Sequence, residues 1–179
     1  MLALTIGQKV AYPNQGVCVV EARKEFDDGT QVLSGFSLRL LCDNSTIFVP
    51  DATVDTLGIR PLINTKQCRQ LLEQLGDDFE ELSSDWKTRS KDFIDKVRSG
   101  NVFEVADVLK KLSFLSRSKK LSFREQTLME KARFLVVSEL SNARVAIGKQ
   151  VGDVVDQLVE TACSKHGDAG GCSLSASTH

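Results

Sequence analysis

The sequence predicts an α+β fold: a small N-terminal five-stranded β-barrel or curled sheet, followed by an all-α bundle of about five helices. Three observations predict it. Up to Ile63 the chain reads as short apolar runs, with β-branched residues prominent in Val17 to Ala22, broken by turn residues. From Asn64 onward the apolar residues recur with a helical period. A β module followed by helices is the pattern of segregated elements, with no long flexible linker between the halves. The expected division is 1–63 as a β domain, 64–164 as a helical domain and 165–179 as a disordered tail.

Each element has a local reason. Lys9 to Tyr12 is a short strand stopped by Pro13-Asn14-Gln15-Gly16, a turn by composition. Val17 to Ala22 resumes extended structure with β-branched residues, and Asp28-Gly29 is a hairpin signal. Further strands are expected at Gln31 to Leu33, Gly35 to Cys42 and Thr46 to Val49, with Pro50 ending the last or marking an exposed edge. A first helix spans Asn64 to Leu75 and stops at Gly76. Ser84 or Asp85 caps a second that ends at Ser99-Gly100. Asn101 to Glu104 has capping-box spacing and opens a third, to about Leu115; Ser122 to Glu125 is another box and opens the longest, to about Ala143. A last helix covers about Gly148 to Ser164. Beyond it the chain is rich in Gly, Ser and Ala.

Composition excludes several classes of function. With 179 residues, 41% hydrophobic and 26% charged, the chain is an ordinary globular protein. No apolar run approaches the ~20 residues of a membrane span, and Met1 to Ile6 lacks the basic start of a secretory leader. A cytoplasmic protein with no membrane partner is expected. Five scattered cysteines without a C-x-x-C pair read as reduced thiols. The only histidines, His166 and His179, lie in the tail, so no nucleophile–histidine constellation can be built from the core, and there is no Gly-rich phosphate loop. Cys163, His166, Cys172 and His179 fit no standard zinc spacing. A non-enzymatic monomer without cofactor or metal is expected.

The net charge of −1 hides an asymmetry. Residues 1–70 balance, 71–86 hold six acids and no Lys or Arg, and 87–124 hold eleven bases against four acids. Such a local basic field suits a polyanion, although most charge runs are solvated faces. Lys87, Arg89 and Lys91 alternate on the second helix, with Arg98 further along, and Lys119, Lys120 and Arg124 flank the start of the fourth. If the two helix starts are neighbours they form a basic surface suited to phosphates. The lone tryptophan, Trp86, opens the second helix seven residues before Phe93, on the stripe of Phe93, Ile94 and Val97, which reads as core. Its place in the first turn, between acids and bases, reads instead as a wedge of the kind that unstacks DNA from the minor groove.

At these residues the sequence resembles the CarD/CdnL bacterial transcription regulators, over about residues 5–145. Gly7-Gln8-Lys9-Val10-Ala11-Tyr12-Pro13-Asn14-Gln15-Gly16-Val17, Phe48-Val49-Pro50 and Gly58-Ile59-Arg60-Pro61-Leu62 are similar to that family's N-terminal module. Trp86 to Arg89, Val105 to Leu112, Lys120 to Glu125 and Lys131-Ala132 are similar to its helical half. The resemblance implies a Tudor-like β domain that binds the RNA polymerase β subunit, Phe48 and Pro50 matching the strand that meets it. It also implies a helical domain that meets promoter DNA, weakly and without sequence preference, in the minor groove at the upstream edge of the transcription bubble. Trp86 matches the family's wedge and Lys91 a basic position; Lys87 lies in the matched stretch, and Arg89, Lys119 and Arg124 join by proximity. The sequence departs from some relatives at Phe26 and Phe48, where they carry arginine, and at Gln126, where they carry a base. The competing expectation is a protein–protein adaptor that docks through Trp86 and the acidic stretch 73–85 without touching DNA.

Overall fold

A computed structural model describes residues 3–143 and 150–171. Its β part is one antiparallel sheet of β1 (Lys9–Tyr12), β2 (Gly16–Asp27), β3 (Val32–Leu40), β4 (Thr46–Pro50) and β5 (Arg60–Pro61). The order is β4-β3-β2-β1-β5, so the sheet stays open and β4 presents a free outer edge. A register shift between Val20 and Ala22 bends β2. Its first half is buried, whereas its second half runs with β3 out beyond the core, leaving Phe26 53% exposed. The sheet's apolar face and the segment after β4 enclose a small core of Val10, Cys18, Val20, Leu38, Val49 and Ile59. Burial there, with Cys42 and Asp43 nearby, pushes the Cys18 thiol up to about 11, which keeps it protonated and inert.

Two expectations about the strands are revised. The runs at Gln31 to Leu33 and Gly35 to Cys42 form a single strand, β3, because Ser34 continues the pairing to Glu25. The fifth strand is Arg60–Pro61, paired with Val10 and Ala11. It is only two residues long and contains proline, which donates no ladder hydrogen bond.

The helices are α1 (Thr65–Gly76), α2 (Trp86–Arg98), α3 (Val102–Ser118), α4 (Phe123–Asn142) and α5 (Val151–Gly171). Asp85 caps α2 by accepting from the N–H groups of Lys87 and Thr88. Ser122 and Glu125 form the expected reciprocal box on α4, and Asn64 with Gln67 forms another on α1. On α3 Asn101 accepts from Phe103 N, and the box with Glu104 does not close. The helices bury a second core centred on Leu71, Leu75, Val108, Leu112, Val136 and Leu140.

The tail is a correction. Disorder was the expectation from Lys165 onward, yet α5 continues to Gly171. Lys165 Nζ donates to the Gly76 carbonyl at 2.7 Å, and His166 Nδ1 lies 2.7 Å from Asp78 Oδ1. The His166 ring stacks on Phe79 at 4.2 Å and meets Phe114 edge-on. These partners lie between about fifty and ninety positions away in sequence, so local composition did not reveal them. Residues 172–179 lie outside the described residues. Among the described residues no helix is long and apolar enough to cross a membrane.

Candidate nucleic-acid interface at two helix starts

The helices alternate in direction, and this brings distant segments to one end of the bundle. The C-terminal ends of α1, α3 and α5 and the starts of α2 and α4 meet there, as shown by Lys165 on Gly76, Arg117 on Glu160, and Arg89 beside Glu125. The two basic helix starts are therefore neighbours. Glu125, in the first turn of α4, lies 4.0 Å from Arg89 and 3.1 Å from Lys119. Burial pushes its carboxyl up, but the Ser122 N–H and the Lys119 ammonium outweigh that and hold it below the usual range.

Trp86 occupies the first position of α2 and is 65% exposed. Phe93 and Val97, seven and eleven residues along the same stripe, are buried. The period thus places Trp86 on the core face, but the core has ended by the first turn and the indole projects past it. Lys87 Nζ stands 5.9 Å from its ring centroid, within reach of a weak cation–π attraction. Asp85 anchors the turn: the Thr88 hydroxyl and two N–H groups bond its carboxylate and hold its pKa low.

The predicted bases separate into two groups. Lys87, Lys91, Lys120 and Arg124 are exposed, and the last three make no ion pair among the described residues. Arg89 is largely buried: its Nη1 donates to the Ser83 carbonyl at 2.7 Å and its Nη2 faces Glu125. Lys119 is held by Glu125. These two brace the helix starts together as well as adding positive charge. Three further bases of the +7 stretch turn inward. Lys110 is 1% exposed and donates to the Gln74 and Asp77 carbonyls at the end of α1. Lys96 and Lys111 share Asp107 at 3.1 and 2.9 Å. Counting charges along the chain overstates the field the surface presents.

One residue escaped the sequence reading. Phe123 is 85% exposed, more than Trp86, and opens α4 as Trp86 opens α2. The local orders are parallel: capping residue, aromatic, base, as Asp85-Trp86-Lys87 and Ser122-Phe123-Arg124. That repetition was the available signal. A capping box was read there, and the aromatic inside it was not.

On the sheet, Phe48 and Pro50 lie on the free edge strand β4. The Phe48 ring reaches across β3 to Phe26, with centroids 5.8 Å apart. Gly35 makes this possible: a Cβ there would stand 2.9 Å from Phe48 Cζ and 2.3 Å from the Val49 carbonyl oxygen. Of the four tail-region residues weighed as zinc ligands, Cys163 is buried against the Lys110 carbonyl and His166 is committed to Asp78. Cys172 and His179 lie outside the described residues. Among the described residues no group of three His, Cys, Asp or Glu stands close enough to hold a metal.

Residues 70–156 match the family model described as CarD, C-terminal domain. YdeB of Bacillus subtilis (strain 168), named as a candidate transcription factor, is 24% identical over 146 residues, which span 82% of this chain and 95% of YdeB. The solution NMR structure of the 72-residue N-terminal domain of Myxococcus xanthus CarD is 36% identical. It covers 34% of this chain and 81% of that domain, with a TM-score of 0.29.

Proposed function

The chain belongs to the CarD/CdnL family of transcription regulators, and from that premise we propose that it binds the RNA polymerase β subunit and stabilises the open promoter complex. In this reading the free β4 edge, with Phe48 and Pro50, adds to a strand of the polymerase. Trp86 enters the minor groove at the upstream fork of the bubble. Lys87, Lys91 and Arg124 contact phosphates, while Arg89 and Lys119 hold the two helix starts in place. Phe123 extends the apolar face beside the indole.

The observation that carries this reading is the exposed Trp86 at a helix start, bordered by unpaired bases. Opening duplex DNA costs a few kcal/mol per unstacked step. An indole that fills the gap only when the fork is open binds the open state preferentially and shifts the population toward it. The bases add affinity without reading sequence. A contact of three or four phosphates is small, and log affinity falls by about 0.9 per neutralised phosphate for each unit of log salt. DNA binding by the free protein therefore fades at physiological salt, and tethering to polymerase is what makes it effective.

The decisive experiment measures open-complex lifetime on a promoter with polymerase and the full chain. Trp86→Ala shortens the lifetime while polymerase capture is retained. An unchanged lifetime with Ala at 86 removes the wedge. Crosslinking of Lys91 to promoter DNA only when polymerase is present supports the same reading, and crosslinking to a protein subunit alone supports the adaptor.

A further inference from the structure

The sheet and the bundle meet at the end of the bundle away from Trp86, and one ion pair organises the joint. Arg60 of β5 grips α4 by a bidentate contact, Nη1 to Glu139 Oε1 at 2.5 Å and Nη2 to Oε2 at 2.8 Å. Its Nε donates to the Gly100 carbonyl, in the turn between α2 and α3, at 2.9 Å. One guanidinium thus holds the far ends of both helices whose starts carry Trp86 and Phe123. Glu139 is 4% exposed and accepts a third bond from the Ile63 N–H at 3.1 Å. A carboxylate so buried is tolerated only with its acceptors filled, and here the donors come from the segment that leaves the sheet.

Shape reinforces the grip. Gly16 leaves room for the Phe134 ring of α4, where a Cβ would stand 3.0 Å away. Gly100 does the same for Pro13, at 2.8 Å, in a backbone conformation (φ +80°) that disfavours any other residue. Lys9 Nζ donates to Asn142 Oδ1 at 3.0 Å. An apolar contact between sheet and helix can roll, whereas a planar fork bonded to two elements at once sets an angle.

The angle matters because of leverage. The thirteen residues of α2 place Trp86 about 20 Å from the joint at 1.5 Å per residue. A roll of about 10° over that arm moves the indole about 3.5 Å, one base step of duplex. Resting for its functional half on the reading above, we propose that Arg60 and Glu139 are positioning residues: their pair fixes the angle between the polymerase-binding sheet and the bundle, and so holds Trp86 in register with the fork.

Two measurements on the full chain test it. Spin labels at the exposed Cys42 and at Thr127→Cys, in a Cys172→Ser background, report the distance between sheet and bundle; Cys18, Cys68 and Cys163 are buried. Titration of polymerase–promoter complexes then separates the concentration for half effect, set by polymerase affinity, from the plateau lifetime, set by Trp86 at the fork. Arg60→Ala broadens the distance distribution and lowers the plateau lifetime about threefold or more, with half-effect concentration within about twofold of wild type. Arg60→Lys, which keeps the charge and loses the fork, falls between and decides the matter if the alanine variant does not fold. A narrow distribution in the folded variants, or a broadened one with wild-type plateau, overturns the proposal. Trp86→Ala is run alongside and keeps the narrow distribution. If it also keeps the plateau, the wedge reading fails, while the distances still judge the joint.

Discussion

Phe79, Phe114 and His166 face one another at the end of the bundle, with Lys110, Lys165, Asp77 and Asp78 bonded around them. Beside them, at the starts of α2 and α4, Trp86 and Phe123 face outward with Lys87, Lys91 and Arg124. The ingredients are the same: aromatic rings, cations and acids. In the first cluster the cations close the carbonyls of a helix end, and the rings bury one another. In the second the acids, Asp85 and Glu125, are spent on caps and braces; among the described residues Lys91 and Arg124 make no ion pair, and the Trp86 ring has only Lys87 nearby. The difference marks out the candidate surface by what is left exposed and unpaired, not by residue type.

The largest expected effect sharpens this contrast. Phe79→Ala removes the ring that stacks on His166 and meets Phe114, and is expected to cost about 2–4 kcal/mol of unfolding free energy in urea titrations. A cost below about 0.5 kcal/mol, typical of surface substitutions, would mean that the closed cluster is not closed. Next comes Lys110→Ala, which leaves the Gln74 and Asp77 carbonyls without their donor; about 1–3 kcal/mol is expected by the same measurement.

Asp107 gives a pH test of an inward-turned base pair. Burial alone would raise its carboxyl, but Lys111 and Lys96 win and hold it below its ordinary value of 3.8. A depressed folded pKa contributes stability that is complete above the unfolded value and is lost as pH falls through the folded one. Unfolding free energy should therefore drop as pH falls from about 5 to 3. Asp107→Asn should flatten part of that drop, and an unchanged slope would count against the pairing.

The smallest expected effect on stability belongs to the open cluster. Trp86→Ala and Phe123→Ala should each move unfolding free energy by less than about 0.5 kcal/mol, although on the proposed reading Trp86→Ala is expected to shorten the open-complex lifetime. A large loss of stability from either would place these rings in the core and end the comparison.

Most of this fold was legible along the chain. Asp85, Ser122 and Asn101 announce helix starts through short-range capping, Gly76 and Gly100 announce stops, and Asp28-Gly29 announces the hairpin. The exposed tryptophan at a basic helix start was legible too, once its position in the first turn was set against its period. Phe123 was missed because a capping box draws attention to its polar members. The strand at Arg60–Pro61 was missed because two residues carry no alternation, and the last turns of α5 because glycine and serine composition argues for disorder.

By itself, the sequence determined the order of a β module and a helical bundle, the capped starts of α2, α3 and α4, and that a tryptophan stands first on a basic helix. Those features depend on neighbours within a few positions, where propensity, capping and period act. Tertiary structure alone decided which charges remain for a partner. Lys110 and Lys111 face inward, Arg89 and Lys119 converge on Glu125, and Arg60 finds Glu139 seventy-nine positions away. Whether a cation is spent or free depends on the acid and carbonyl groups that folding brings to it, and no local pattern records that distance.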